Sequence, residues 1–453
     1  MALPLPPIHQ SGLRFGGLRE FISNRVEFAT GTSSSGRTVR LQVGPPGLRN
    51  TLYLMHSAEG AEMVFSAKTW SNFRKENSLY NEFRQVIGNG LLTAQDEDWL
   101  RQKRFVQPVF TKARVDGYLE MMLDEVEALA ETWRAADEVE LSTAMTHLTL
   151  RIVGRVLFGD GLDELESTIS TEFPIAQRGI LKRAAFGGKI PLSWPIAINT
   201  ELRASQAKLY EVVDRIINER RASGERSDDL ISLLLDARDG DEQLSNDEVR
   251  DQILIFLLAG HETTSSALTF ALHLIGRHPD IQQGIRDEVA AVVGDARPTP
   301  SQLHSGLPFT TAVLKEAMRM YPSAPFVGRR LSEASEVDGY SIPAGADAVV
   351  SIWSIHHDPE LWPDPDTFDP KRFMEGDPAN RYAWMPFGAG PRACIGQHFS
   401  MMESVAALAV LIRTFDIESL ADSDRVPVNS AITLFPLEPV PVRLRSAAGD
   451  PRS

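Results

Sequence analysis

A chain of 453 residues with 43% hydrophobic and 24% charged residues is long enough for a large core and too apolar to stay disordered. Its single cysteine excludes an intrachain disulfide and a zinc site built from several cysteines, which suits a reducing compartment, the cytoplasm. A net charge of −15 argues against nucleic acid as a general partner, because phosphate binding needs a positive face.

The N-terminus, MALPLPPIHQSGLRF, lacks the basic-then-apolar order of a secretory leader. No apolar run reaches the ~18 residues that span a bilayer, so no integral membrane anchor is expected. Residues 36–55 alternate as strands around a Pro-Gly turn. Helical periodicity follows over 205–222. Ser245-Asn246-Asp247-Glu248 then reads as a capping box, in which the serine hydroxyl and the glutamate carboxylate satisfy two free amides. From it a helix of roughly 33 residues, ~50 Å long, runs to the residue before Pro279. Its middle is apolar all round, as befits a helix crossing a large core. Helices are predicted over 309–321 and 395–413, and strands over 335–355 and 431–445. Asp338-Gly339 supplies a two-residue hairpin turn. The expected architecture is mainly α with a small β part: one unit over 1–446, followed by a flexible tail, 447–453.

The chemistry concentrates in FGAGPRACIGQHFSMM, residues Phe387 to Met402, which holds Cys394. A lone cysteine is often just a small buried hydrophobe. Here it lies just ahead of an apolar helix, whose N-terminal end favours a thiolate, and Gly388, Gly390 and Gly396 let backbone approach a flat ligand closely. These features suit a metal thiolate. A second cluster, Ala259-Gly260-His261-Glu262-Thr263-Thr264, sits in the middle of the long helix. Buried polar groups there are costly unless partnered, although hydroxyls bonding back to carbonyls would also explain them. A zinc-protease motif is excluded, because Ser265 stands where the second histidine would be. Third, Glu316 and Arg319 are one helical turn apart, with Arg372 following in FDPKRF.

The spacing F-G-A-G-P-R-A-C-I-G resembles the haem-ligand loop of the cytochrome P-450 monooxygenases, and the other clusters follow in that family's order over essentially the whole chain. The resemblance implies the cytochrome P-450 fold, with haem between the long distal helix and the cysteine-ligand helix. Cys394 is then the axial ligand of the iron. Phe387, Gly396 and Ala259 line the cofactor, and Trp99, Lys103, Arg329 and Arg392 serve its propionates, with Arg329 and Arg330 interchangeable at this stage. Lys103 departs from the commoner arginine and binds as a point charge. Glu262 and Thr263 match the acid–alcohol pair that delivers protons on the distal side, where small residues open a kink in the helix. Glu316, Arg319 and Arg372 match a structural triad. Phe83, Ile255, Ala259, Ala324, Val327, Ile432 and Thr433 fall at substrate-pocket positions.

The implied enzyme is an oxygen-inserting monooxygenase with haem b, dioxygen and NAD(P)H-derived electrons. The electrons come from a separate ferredoxin and ferredoxin reductase, and the substrate is a lipophilic terpenoid, fatty acid or polyketide. It is expected to be monomeric. A haem-thiolate isomerase or peroxygenase would often lack the acid–alcohol pair, and a haem sensor has no evident need of it. The basic stretch WLRQKRFVQPVFTKAR offers Arg101 and Arg104 as a docking face for an acidic ferredoxin, or else as a solvated surface.

Overall fold

The computed structural model describes residues 3–9, 23–43, 50–159, 163–185, 187, 190–223 and 229–447. The helices include α1 (Arg25–Ser33), α2 (Ser78–Ile87), α3 (Asp96–Val106), α4 (Leu141–Phe158), α5 (Asp163–Ala185), α6 (Ala197–Ser223), α7 (Asn246–Arg277), α8 (Pro308–Met320) and α9 (Gln397–Thr414). The strands are β1 (Thr38–Val43), β2 (Asn50–Met55), β3 (Phe73–Arg74), β4 (Glu138–Glu140), β5 (Phe326–Leu331), β6 (Ser335–Val337), β7 (Tyr340–Ile342), β8 (Asp347–Ser351), β9 (Phe415–Ser419), β10 (Val428–Ser430), β11 (Leu434–Pro436) and β12 (Pro441–Ser446).

Helix α7 starts where the capping box puts it: the Ser245 hydroxyl accepts from the Glu248 amide at 3.2 Å, and the Glu248 carboxylate accepts from the Ser245 amide at 2.8 Å. It is long and apolar enough to cross a membrane, but 78% of its most apolar window is buried inside the molecule, which identifies it as the core helix. Gly260 lets α4 pack close, since a Cβ there would lie 2.9 Å from Val153 Cγ2. The helix runs unbroken from Asn246 to Arg277, so the expected kink does not interrupt it. Gly260 is used for packing against α4.

The five-stranded sheet has the order β1-β2-β8-β5-β3, with β2 and β8 parallel and the other pairs antiparallel. The Pro-Gly turn between β1 and β2 lies outside the described residues. Asp338 and Gly339, both at positive φ (51° and 78°), make the β6–β7 turn. Asp338 also accepts from Thr38 and Ser57, tying the hairpin to the N-terminal strands. Strands β5 and β9 are additions to the sequence reading, as is a short helix, Ile352–His356. Ala447, placed in the tail from sequence, is buried and donates its amide to the Thr414 carbonyl at 3.0 Å. Residues 448–453 lie outside the described residues.

Candidate active site

The Cys394 loop is shaped by glycine where nothing else fits. Gly388 and Gly390 have φ of 68° and 69°, and a Cβ on Gly390 would sit 1.7 Å from the Phe65 carbonyl oxygen. The loop closes through the Cys394 amide on the Phe387 carbonyl, 2.9 Å, and the Ala393 amide on the Gly390 carbonyl, 3.1 Å. Cys394 opens onto a cavity of about 930 Å³. In that recess burial pushes the thiol up, opposed by the Gly396 amide and the Lys75 ammonium. Helix α9 begins three residues later, at Gln397.

Cations rim the same cavity. Arg392 stacks 3.9 Å from the Trp99 ring centroid and donates through Nη2 to the Ala94 carbonyl (3.0 Å) and Gln95 Oε1 (3.2 Å). Its Nη1 is buried with no acceptor. Desolvation first, then the nearby Arg329 charge, push Arg392 down to about 9. Lys103 reaches the Pro391 carbonyl at 3.3 Å and lies 4.9 Å from the Trp99 ring. Arg329, 4% exposed, donates to Tyr80 Oη (3.2 Å) and the Gly328 carbonyl (2.7 Å).

Adjacent residues of a strand face opposite sides, so Arg330 points away from Arg329 and pairs with Asp347 through two contacts of 2.7 and 3.0 Å. Of the two, Arg329 lines the cavity. A further cation was missed: Lys75, 6% exposed, donates to the Leu92 carbonyl at 2.8 Å. Burial, then Arg329 and Arg392, hold it well below the usual lysine range. Among the described residues no carboxylate forms an ion pair with Lys75, Lys103, Arg329 or Arg392. A cavity with a sulfur at one wall and uncompensated cations at its rim suits a bound dianion that also takes a thiolate.

Helix α7 crosses the opposite wall. Three successive odd-numbered carbonyls of its middle are taken by hydroxyls: Ala259 by Thr263 (2.7 Å), His261 by Thr149 (2.9 Å) and Thr263 by Ser323 (2.7 Å). The Glu262 carboxylate accepts from the Gln177 amide nitrogen on α5 and from Thr433 Oγ1 at 3.1 Å. Gln177 was not singled out in the sequence, and Thr433 serves as a donor to Glu262 as well as lining the pocket. Phe83, Ile255, Ala324, Val327 and Ile432 line the chamber with Thr433, and all the cofactor positions named from sequence line this one cavity too.

The third cluster lies outside the cavity. Glu316 and Arg319 are both 0% exposed and meet in two contacts of 2.7 and 2.9 Å. Arg319 also donates to the His356 carbonyl (2.8 Å), and Glu316 accepts the Asp369 amide (3.1 Å). Burial raises Glu316, against the pull of Arg319. Arg372 is the looser member: its Nε is 3.4 Å from Glu316 without a hydrogen bond, while Nη2 donates to the Asp364 carbonyl at 3.0 Å. His356, unremarked in the sequence, accepts the Met385 amide at Nε2 (2.9 Å) and contacts the Arg319 carbonyl through Nδ1 (3.2 Å), so the proton belongs on Nδ1. It ties the triad helix to the start of the Cys394 loop. Of the proposed docking cations, Arg101 is spent on Glu242 (3.0 Å) and Glu248 (2.5 Å), and Arg104 on Asp239 (2.5 Å).

The family model for cytochrome P-450 matches residues 24–444. Cyclooctatin synthase of Streptomyces melanosporofaciens is 32% identical over 425 residues, covering 92% of this chain and 91% of the relative. Pentalenene oxygenase of Streptomyces avermitilis is 30% identical over 432 residues, covering 94% and 93%. The crystal structure of the cytochrome P-450DA heme domain superposes with a TM-score of 0.84 at 26% identity, covering 99% of this chain and 98% of that one. By the family model and these relatives, the chain belongs to the cytochrome P-450 family, monooxygenases that work with haem, dioxygen and reducing equivalents.

Proposed function

We propose that the chain inserts one oxygen atom of dioxygen into a polycyclic terpenoid, by hydroxylation or epoxidation. The observation that carries this reading is one cavity in which Cys394, four cations without carboxylate partners and an apolar chamber under α7 converge. The donor set fits haem b: Cys394 would ligate its iron, Lys75, Lys103, Arg329 and Arg392 would meet the propionates, and Gly388, Gly390 and Gly396 would leave room for it. When bound, haem supplies the activation of dioxygen, and thiolate ligation favours O–O cleavage.

The chain's own residues contribute position and protons. Thr263 Oγ1 is held at the cavity wall by the Ala259 carbonyl, leaving its lone pairs free to accept and pass a proton. Glu262, on the preceding residue, is the carboxylate of that helical turn, and it reaches Thr433 at the chamber side. The apolar lining excludes water and admits a lipophilic molecule. Terpenoid substrates are favoured over fatty acids or polyketides because the relatives named above are terpenoid-modifying. Electrons from NAD(P)H would arrive through a separate ferredoxin and its reductase, and the protein would work in the cytoplasm as one unit over 1–446.

A panel of polycyclic terpene hydrocarbons and alcohols, screened for the low- to high-spin shift and then incubated with surrogate redox partners under heavy-isotope dioxygen, tests this. One labelled oxygen atom in a product is expected. Conversion without label, or without any need for reductant, would point to the isomerase or peroxygenase chemistry instead. Thr263→Ala should bind the same substrate yet divert most of the reducing equivalents to hydrogen peroxide; unchanged coupling would remove Thr263 from proton delivery.

A further inference from the structure

The Glu262 carboxylate is held by two donors from separate parts of the fold. Gln177 Nε2 on α5 donates to Oε1, and Thr433 Oγ1, in the turn between β10 and β11, donates to Oε2 at 3.1 Å. Neither bond involves Thr263, whose hydroxyl hydrogen goes back along α7 to the Ala259 carbonyl at 2.7 Å. Acid and alcohol are adjacent in sequence and yet not hydrogen-bonded to each other, since successive side chains of a helix diverge by ~100°. For the carboxylate to reach Thr263 it must turn, and to turn it must let go of a donor.

The turn that carries Thr433 is fixed at its ends and open at its tip. On the β10 side Arg25 Nη1 of α1 donates to the Ser430 and Ala431 carbonyls at 2.6 and 3.1 Å, and Asn24 Nδ2 donates to the Val428 carbonyl at 3.1 Å. On the β11 side the Leu434 amide donates to the Ser323 carbonyl at 2.9 Å, and the Leu434 carbonyl accepts from Ser266 Oγ at 3.0 Å. Between these anchors Ile432 and Thr433 line the chamber. One short segment therefore both touches whatever fills the chamber and holds the acid. At 3.1 Å the Thr433 bond is long for two oxygens, so a small displacement of the tip breaks it, while the Gln177 bond, made from another element, does not depend on the tip.

We propose that Gln177 and Thr433 are positioning residues that hold Glu262 turned away from Thr263, and that Thr433 is the releasable one. A molecule seated against Ile432 shifts the tip, Oε2 loses its donor, and the carboxylate turns toward the Thr263 hydroxyl, which ties proton delivery to a well-filled chamber. The hold stands on its own geometry; its link to delivery rests on Glu262 and Thr263 being the proton-delivering pair of a haem enzyme.

The test uses the holoprotein, with imidazole as a small iron ligand and phenylimidazole as one that fills more of the chamber. The infrared band of the Glu262 side chain, identified by its absence from Glu262→Gln, reports the hydrogen bonds made to it. In the parent, phenylimidazole should shift this band and imidazole should not. In Thr433→Val the band should already be shifted without ligand and move no further, and Thr433→Ser should restore the parent response. Gln177→Leu should displace the starting band yet keep the response, because Thr433 is still there to be released. A Thr433→Val band identical to the parent's means there is no hold, and a parent band indifferent to phenylimidazole means that filling the chamber does not release it. Across the terpene panel, the parent should lose least reductant to hydrogen peroxide with the compounds that shift the band, and Thr433→Val should lose that discrimination; if it keeps it, Thr433 does not govern delivery. A band that responds as expected in a protein whose Thr263→Ala variant couples like the parent would uphold the hold and sink the proton-delivery reading. A Thr433→Val shift in a protein that binds neither haem nor phenylimidazole would uphold the hold and sink the haem reading.

Discussion

Two clusters of buried charge are tied to the Cys394 loop, and they are built on opposite principles. Around Glu316 the charges close on one another: Arg319 gives both arms of its fork to the carboxylate and a third nitrogen to the His356 carbonyl, Glu316 also accepts the Asp369 amide, and Arg372 sits 3.4 Å away as a second cation. His356 passes that order on to Met385 at the head of the loop. At the cavity rim Lys75, Lys103, Arg329 and Arg392 share no carboxylate among the described residues, and one Arg392 nitrogen has no acceptor. A closed cluster is framework. An open one is a binding site, because the cost of burying like charges is recovered only when an anion arrives.

Removing charge should therefore act in opposite directions in the two places. Glu316→Ala strands the Arg319 guanidinium in the core and should cost about 3–5 kcal/mol. Soluble yield and urea unfolding read this, and a stable, haem-replete Glu316→Ala protein would show that the closed cluster is not framework. Lys75→Met should do the reverse to the haem-free protein, raising its melting temperature, while haem is lost to apomyoglobin roughly tenfold faster. Both changes in the same direction would break the distinction.

Asp251 on α7 is an intermediate case, a half-buried acid whose Oδ2 accepts the Asn89 amide at 2.7 Å while Oδ1 makes no hydrogen bond and has only an ion-pair contact with Arg250 Nε at 3.7 Å. Burial raises it from 3.8 to about 6, against the Asn89 amide and Arg250. A folded-state value above the unfolded one means the folded chain holds the proton more tightly. Stability is therefore lost as pH rises from about 4 through about 6, and the full penalty stands above that. Asp251→Asn keeps an acceptor for the amide and should gain about 1–2 kcal/mol at neutral pH and nothing at pH near 4. A gain that does not vary with pH would mean burial of the charge is not its cause. The smallest effect belongs to the surface: Arg101→Glu breaks partly exposed pairs with Glu242 and Glu248 and should cost under about 1 kcal/mol, read as a small, salt-sensitive drop in melting temperature.

What the sequence made legible was local. The capping box of α7, the glycines about Cys394 and the one-turn spacing of Glu316 and Arg319 each express their geometry within a few residues. What it hid was contact between distant segments. Lys75 in NFRKENS reads as a solvated charge, and only the packing of 92–95 and the 392–394 loop around it buries it. Gln177 and His356 carry no local signal, since each acts on a residue more than 25 positions away. The acidic partners of Arg101 and Arg104 were hidden for the same reason: they lie well over 100 residues downstream. Arg329 and Arg330 could not be ranked until β5 was seen as a strand, whose alternation assigns one to the cavity and the other to Asp347.

The central claim is that the open cationic cavity holds haem with Cys394 on its iron, and the ferrous carbon monoxide spectrum of the reconstituted protein tests it most directly. The parent protein should give the red-shifted Soret band of thiolate ligation, and Cys394→Ser, with its fold retained by circular dichroism, should lose it. A Cys394→Ser protein that keeps the band unchanged would contradict the assignment of the cavity, the rim and the ligand together.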